Sequence, residues 1–366
     1  MKIDPFIDDR FGRHFAADPI VVYDGGAAGV LYDLFQDLTS GRVSIVGFEP
    51  VQESFDALKR RYGDNENVQL FQVALDNQAG QATFYLVSKA PTVSSLMRRD
   101  LITDAEPFSV ECKTVECKTI DDIVQHDGLS PPDFLKLDTE GSELRILTGG
   151  QETLTKQVLG VYCEVGFWMR PEAGAQFWQI DAFLGENGFI LFDLQLSRSS
   201  AHAIGGKKTR VNSGNALYLR DFYAYYDAHL HAAGEACARA KLLKMIAICT
   251  AFIYLPYAIE LVDFGRERGL LSGDEVARLQ KHLCCWSDIA RRVPAFPGKQ
   301  ALANIFDFLT YCLQPKAKKS VPAMYNNIGN RPRAMVRHKL PRRVTLKNPI
   351  RMRQHPNVTT VQIEIE

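Results

Sequence analysis

The sequence holds eight cysteines (Cys112, Cys117, Cys163, Cys237, Cys249, Cys284, Cys285 and Cys312) but no C-x-x-C pair, and scattered thiols in 366 residues build no disulfide framework. The amino end, MKIDPFIDDRFGRHFAADP, lacks the unbroken apolar run of a signal peptide, so a reducing, cytoplasmic setting is expected. Long hydrophobic runs are missing too. The uncharged stretch Met245–Ile259 is fifteen residues and is interrupted by Pro256, against about 20 for a span. It is read as a buried helix, with insertion into a membrane interface as the alternative.

Net charge is also lacking, with 43 Lys+Arg against 43 Asp+Glu, but the balance cancels unlike parts. Residues 1–220 carry 21 basic and 31 acidic side chains, residues 221–313 carry 10 of each, and residues 314–366 carry 12 basic and 2 acidic. What remains is ordinary globular composition, 46% hydrophobic and 10% aromatic, enough for a large core.

The organisation follows from periodicity. Ile20–Tyr23 is a short β-branched run that breaks into Asp24-Gly25-Gly26-Ala27-Ala28-Gly29, and VLYDLFQDLTSG follows with helical spacing. Val43–Phe48 and then VQESFDALKRRYG repeat the cycle, and Val68–Val73 reads as a third strand. ATFYLV (82–87) and Val110–Val115 read as antiparallel excursions before a helix near Ile120–Gln125. Asp133–Asp138, a helix Ser142–Thr148, strand Leu159–Val165, a helix over 176–187 and strands at Phe189–Leu194 and Ala216–Arg220 complete the series. Alternating strands and helices predict a mostly parallel, doubly wound α/β sheet over residues 1–220. Long helical runs, 222–263, 273–292 and 299–313, predict an all-α C-terminal domain over 221–313, and 314–366 reads as a basic tail.

The turn Asp24-x-Gly26-x-x-Gly29 follows the first strand and opens a helix, where glycine lets backbone approach a ligand. A dinucleotide fingerprint needs three glycines, and here the first position is an acid, which suits a cation better than a phosphate. Glu49, at the end of the second strand, stands where an acid accepts hydrogen bonds from ribose hydroxyls. Together they point to an adenosine that bears positive charge.

VVYDGGAAG, VGFEP, FLKLDTEGSELRILTGG and YCEV resemble the FkbM family of S-adenosylmethionine-dependent methyltransferases over roughly residues 15–220. The family pattern D-V-G-A-N-x-G is met at Asp24, Gly26, Ala27 and Gly29, with Gly25 and Ala28 as departures. F-E-P is met by Phe48, Glu49 and Pro50, and K-x-D-x-E-G-x-E-x-x-x-L-x-G by Lys136, Asp138, Glu140, Gly141, Glu143, Leu147 and Gly149. The resemblance implies a class I Rossmann-like methyltransferase sheet. It also implies S-adenosyl-L-methionine as cofactor: Asp24, Gly26 and Gly29 at its methionine part, Glu49 at the ribose, and Ala74-Leu75-Asp76 at the adenine, with Ala27 and Pro50 also in the cofactor set.

The resemblance further implies O-methylation of a hydroxyl on a saccharide, glycolipid or natural product. The amine-directed N/D-P-P-Y/F motif is missing, because the fourth strand ends Leu137-Asp138-Thr139-Glu140. A hydroxyl needs a base or a polarising metal, and Asp138, Glu140 and Glu164, at adjacent strand ends, are the candidate catalytic carboxylates. Asp138 also serves in the cofactor set, or caps the next helix; whether a divalent metal takes part stays open. Lys136 is expected to pair with one of these acids, and His202 and the loop Gly205–Arg210 stand near the last strand.

The basic tail has three readings: a solvated extension, a contact with an anionic membrane surface, or nucleic-acid binding. The last is disfavoured because Tyr325 is its only aromatic residue. An NAD-dependent oxidoreductase is disfavoured by the missing glycine. A non-catalytic membrane or nucleic-acid adaptor on the same fold is the alternative function.

Overall fold

The computed structural model describes residues 6, 9–28, 30–31, 41–87, 93–97, 109–167, 174–198 and 211–292, the last eight as backbone. They fall in a compact unit, Met1–Val293; the second unit, Pro294–Glu366, lies outside the described residues. So do Gly29, most of the helix expected after the first strand, His202, the loop Gly205–Arg210 and the run 299–313.

Two short helices, α1 (Asp9–Gly12) and α2 (His14–Ala17), lead into β1 (Ile20–Gly25). There follow β2 (Val43–Phe48), α3 (Gln52–Tyr62), β3 (Val68–Phe71), β4 (Ala74–Leu75), β5 (Gly80–Val87) and β6 (Val110–Lys118). Next come α4 (Ile120–His126), β7 (Phe134–Leu137), α5 (Glu143–Gly149), α6 (Gln151–Lys156), β8 (Gly160–Gly166), α7 (Phe177–Glu186), β9 (Phe189–Arg198) and β10 (Val211–Arg220).

The main sheet has seven strands in the order β3-β2-β1-β7-β8-β10-β9, and β10 alone runs against its neighbours. The parallel strands are apolar on both faces, as a sheet covered on both sides requires: β1 and β7 are buried at every residue. The stretch read as one strand to Val73 divides, because the chain leaves β3 after Phe71 and Ala74–Leu75 pair with β6 in a second sheet, β4-β6-β5. β5 and β6 pair antiparallel, as their alternation predicted.

After β10 come α8 (Phe222–Tyr225), one π turn (Tyr226–Leu230), α9 (His231–Ala233), α10 (Glu235–Ala251), α11 (Leu255–Glu267) and α12 (Gly273–Arg292). The change of pattern at Arg220 is a change of secondary structure inside the first compact unit. Leu242, Ile246, Leu261 and Leu279 share one buried cluster with Phe11 and Phe15 of the amino-terminal helices and with Ile20, Val22 and Phe134 of the sheet. The opposite face is covered by Ile123, Ile146, Leu154 and Ile180 of α4 to α7. The run 245–259 therefore divides between α10 and α11, with Pro256 in the first turn of α11, where a missing N–H costs nothing. Among the described residues no helix is long and apolar enough to cross a membrane.

Polar staples fix this cover. Asp133, fully buried just before β7, accepts hydrogen bonds from Val21 N–H (3.0 Å), Lys241 Nζ (2.8 Å) and Lys244 Nζ (2.9 Å), and Lys244 also reaches Asp18 at 2.6 Å. Arg220 ends β10 with its guanidinium donating to the carbonyls of Val158, Asn187 and Leu154 and packed on the Phe189 ring. Burial lowers its pKa to about 10, so it remains charged at neutral pH.

Candidate active site

In an open parallel sheet the chain leaves a crevice at the carboxyl ends of two neighbouring strands whose connections run to opposite sides. Here those strands are β1 and β7. Their register places Asp24 beside Lys136 and Gly25 beside Leu137, while Gly25 also faces Phe48 at the end of β2. Three motifs far apart in sequence thus end on one line.

Gly26 turns the chain at the tip of β1 with φ +81°. A Cβ there would stand 2.1 Å from the Asp138 carbonyl oxygen, so no other residue fits this turn without moving backbone. Ala28 is left-handed as well, at φ 38°, and its N–H donates to Glu49 Oε2 at 2.9 Å.

Asp24 is wholly buried and lies 3.0 Å from Lys136 Nζ. Lys136 is 7% exposed; its ammonium lies 3.4 Å from the Gly26 carbonyl oxygen and 4.0 Å from Asp138 Oδ2. Asp24 is therefore an anchor behind the turn, tying β1 to β7, and it does not line the cleft. Ala27 likewise points into the core. The pairing expected of Lys136 with Asp138, Glu140 or Glu164 goes first to Asp24, at 3.0 Å, with Asp138 Oδ2 farther off at 4.0 Å.

Glu49 is 5% exposed, and its carboxylate is aimed by two backbone donors, Ala28 N–H and Val51 N–H (2.8 Å). A carboxylate oxygen accepts more than one hydrogen bond, so both oxygens keep acceptor capacity toward a ligand. Burial raises the Glu49 pKa above the usual glutamate value, although the two backbone donors oppose that rise.

The loop after β7 is held open by Glu143. That buried carboxylate accepts hydrogen bonds from Thr139 N–H (2.8 Å), Thr139 Oγ1 (3.0 Å) and Gly141 N–H (3.0 Å). The result is an unusual backbone: Glu140 at φ 59° and Gly141 at φ 113°. Burial is the main reason that the Glu143 pKa is raised. Asp138, with its side chain 48% exposed, stands at the mouth. One carboxylate oxygen from each of Asp138, Glu140 and Glu164 lies within 4.8 Å of the others. Oxygen donors so spaced suit a hard divalent cation, or a proton acceptor beside a bound hydroxyl.

The cleft, counted with the open solvent at its mouth, spans about 510 Å³. Of the residues predicted for a cofactor, Gly26, Glu49, Pro50, Ala74, Leu75 and Asp138 line it. Asp76, expected at the adenine with Ala74 and Leu75, is instead held in a bidentate ion pair with Arg145 (2.7 and 2.5 Å). Lining residues that sequence reasoning missed include Val51 after β2, Phe84 on β5, Ser94 and Leu96 on the segment 93–97, and Ser142. That segment is seated over the site by Ser95, whose hydroxyl donates to the Thr139 carbonyl at 3.0 Å. No periodicity marks so short a piece; its Ser-Ser pair is the only local signal.

Comparison with known proteins adds the following. Residues 20–191 match the methyltransferase FkbM domain family. Methyltransferase sdnD of Sordaria araneosa is 28% identical over 202 residues, taking in 47% of this chain and 74% of that protein. Two solved structures resemble the chain more distantly. Magnesium protoporphyrin IX methyltransferase from Synechocystis PCC 6803, with bound SAM, aligns at 10% identity and TM-score 0.31 over 58% of this chain and 77% of that one. Precorrin-6y C5,15-methyltransferase from Geobacter metallireducens GS-15 aligns at 11% identity and TM-score 0.31 over 56% and 81%.

Proposed function

Residues 20–191 are a methyltransferase FkbM domain, carried on a class I Rossmann-like sheet, and from that premise we propose that the chain moves a methyl group from S-adenosylmethionine to a hydroxyl of a saccharide, glycolipid or natural product. The observation that carries this reading is the position of Glu49 and Asp138. Glu49, held by two backbone donors, lines the same cleft as Asp138. One acid suits a ribose diol, and the other opens where an acceptor would arrive.

Methyl transfer from a sulfonium is an in-line displacement. The acceptor oxygen attacks the methyl carbon, the carbon–sulfur bond breaks, and the hydroxyl proton leaves to a base. Asp138, with Glu140 and Glu164 close by, supplies carboxylates for that proton. Gly26 lets backbone approach the methionine arm, and the apolar walls of Leu75, Phe84 and Leu96 suit a flat base. The hydroxyl acceptor rests on the family resemblance and on the missing amine-directed motif.

Calorimetric titration with S-adenosylmethionine, S-adenosylhomocysteine and NAD tests the cofactor. Binding of the first two alone is expected; binding of NAD alone would overturn the reading. Glu49→Ala should weaken S-adenosylhomocysteine by about 1.5–3 kcal/mol, the worth of hydrogen bonds to a charged group. Unchanged affinity removes Glu49 from the site.

A further inference from the structure

Ser142 precedes α5 at the place where a serine ordinarily caps a helix by accepting a hydrogen bond from an N–H in its first turn. Here it does not. Its backbone sits at φ −90° and ψ 0°, outside the extended region a cap uses, and its side chain makes no capping hydrogen bond. The work at this end of the helix falls to Glu143, which takes the N–H groups of Thr139 and Gly141.

Ser142 is nonetheless 1% exposed, and its Oγ finds no hydrogen-bond partner among the described residues. Buried hydroxyl groups are almost always paired, and one left unpaired weakens the fold, so alanine would serve better if packing were the only demand. The side chain belongs to the wall of the cleft, in company with Leu75, Phe84 and Leu96. A hydroxyl set in apolar surroundings gives direction to a ligand that those surroundings attract.

We propose that Ser142 is a cofactor-contacting residue whose hydroxyl is completed by a polar edge of the bound methyl donor, the adenine being the part that fits apolar walls. This rests on the cofactor reading given above. The same hydroxyl that weakens the free protein then strengthens the complex, so its removal has effects of opposite sign in the two states.

The test is Ser142→Ala together with Ser142→Cys, which keeps the side-chain size and replaces the hydroxyl by a weak donor. Each is melted without ligand and titrated calorimetrically with S-adenosylhomocysteine beside the wild type. The expected result is an unchanged or raised melting temperature for Ser142→Ala and an affinity about 3- to 10-fold lower in both variants, the value of one neutral hydrogen bond. Wild-type affinity in either variant overturns the assignment, as does a lowered melting temperature for Ser142→Ala with affinity kept. If the wild type itself binds neither S-adenosylmethionine nor S-adenosylhomocysteine, the cofactor reading has failed, a result distinct from failure of Ser142 alone.

Discussion

The two ends of the parallel sheet both bury an acid against lysine, and they use it differently. At the amino end Asp133 is matched by Lys241 and Lys244 and by the Val21 N–H, and it joins the helical cover to the strands. At the carboxyl end Asp24 pairs with Lys136, which also reaches toward Asp138, half exposed, and around them stand Glu140 on a left-handed backbone and Glu49 and Glu143 bound by backbone donors. The titration behaviour separates the ends too. Burial works to raise the Asp133 pKa, and the two ammonium groups outweigh it and hold it below the usual value. For Glu49 and Glu143 burial is the largest influence, and it leaves both raised, against the backbone donors of each and the more distant Lys136 charge at Glu49. Charge matched to charge makes a joint; charge matched only to neutral donors leaves capacity for a visitor.

The largest effect that would break this contrast is at the joint. Asp133→Ala strands two buried ammonium groups and should cost about 3–5 kcal/mol in urea unfolding, while S-adenosylhomocysteine affinity of the folded fraction stays as in the wild type. A parallel loss of affinity would mean that the two ends are not separate. Glu140→Asn comes next: asparagine tolerates the left-handed region, so the free protein should gain about 0.5–1 kcal/mol, and turnover should fall about 100-fold if the Glu140 carboxylate serves the reaction. Lower stability with full turnover would deny that the strain serves the site.

The smallest effect is in acid. Asp133 has a depressed folded-state pKa, so its stabilisation is complete above the unfolded value of about 3.9 and is lost as pH falls through the lower folded value. Glu49 has the opposite sign: its raised pKa means that the folded protein takes up a proton above the usual 4.5. Affinity for the methyl donor should therefore decline on acidification before the fold does. Titrations across that range, with Glu49→Gln as the flat control, check the order.

Much of the sheet was legible because strand and helix alternate with clear periods, and glycines and acids mark the strand ends. Asp24, Gly26, Glu49 and Asp138 could each be placed at a strand end from spacing, and in one site by the family resemblance. Whether Asp24 faces a ligand or a lysine could not, since that depends on the register of β1 against β7, and Lys136 is more than a hundred residues away in sequence. The Asp133 joint was hidden for the same reason, with Lys241 and Lys244 found 108 and 111 positions along the chain. Residues 221–313 read as a separate all-α domain because helical periodicity reveals an apolar face but not what covers it; in the described part, α10 to α12 share a buried cluster with the sheet. Ser142 reads only as the first residue of a helix, since the sequence does not show that Glu143 takes the N–H groups of the loop before it.

Gly26 and the Asp138 carbonyl meet so closely that not even a methyl group could separate them, and Gly174 is pressed equally tightly on Gly141. The turn after β1 and the loop after β7 therefore meet backbone against backbone, as do that loop and the stretch at Gly174. A side chain added at either glycine would have to displace the backbone opposite it, and at Gly26 that backbone is the edge of the proposed cofactor cleft.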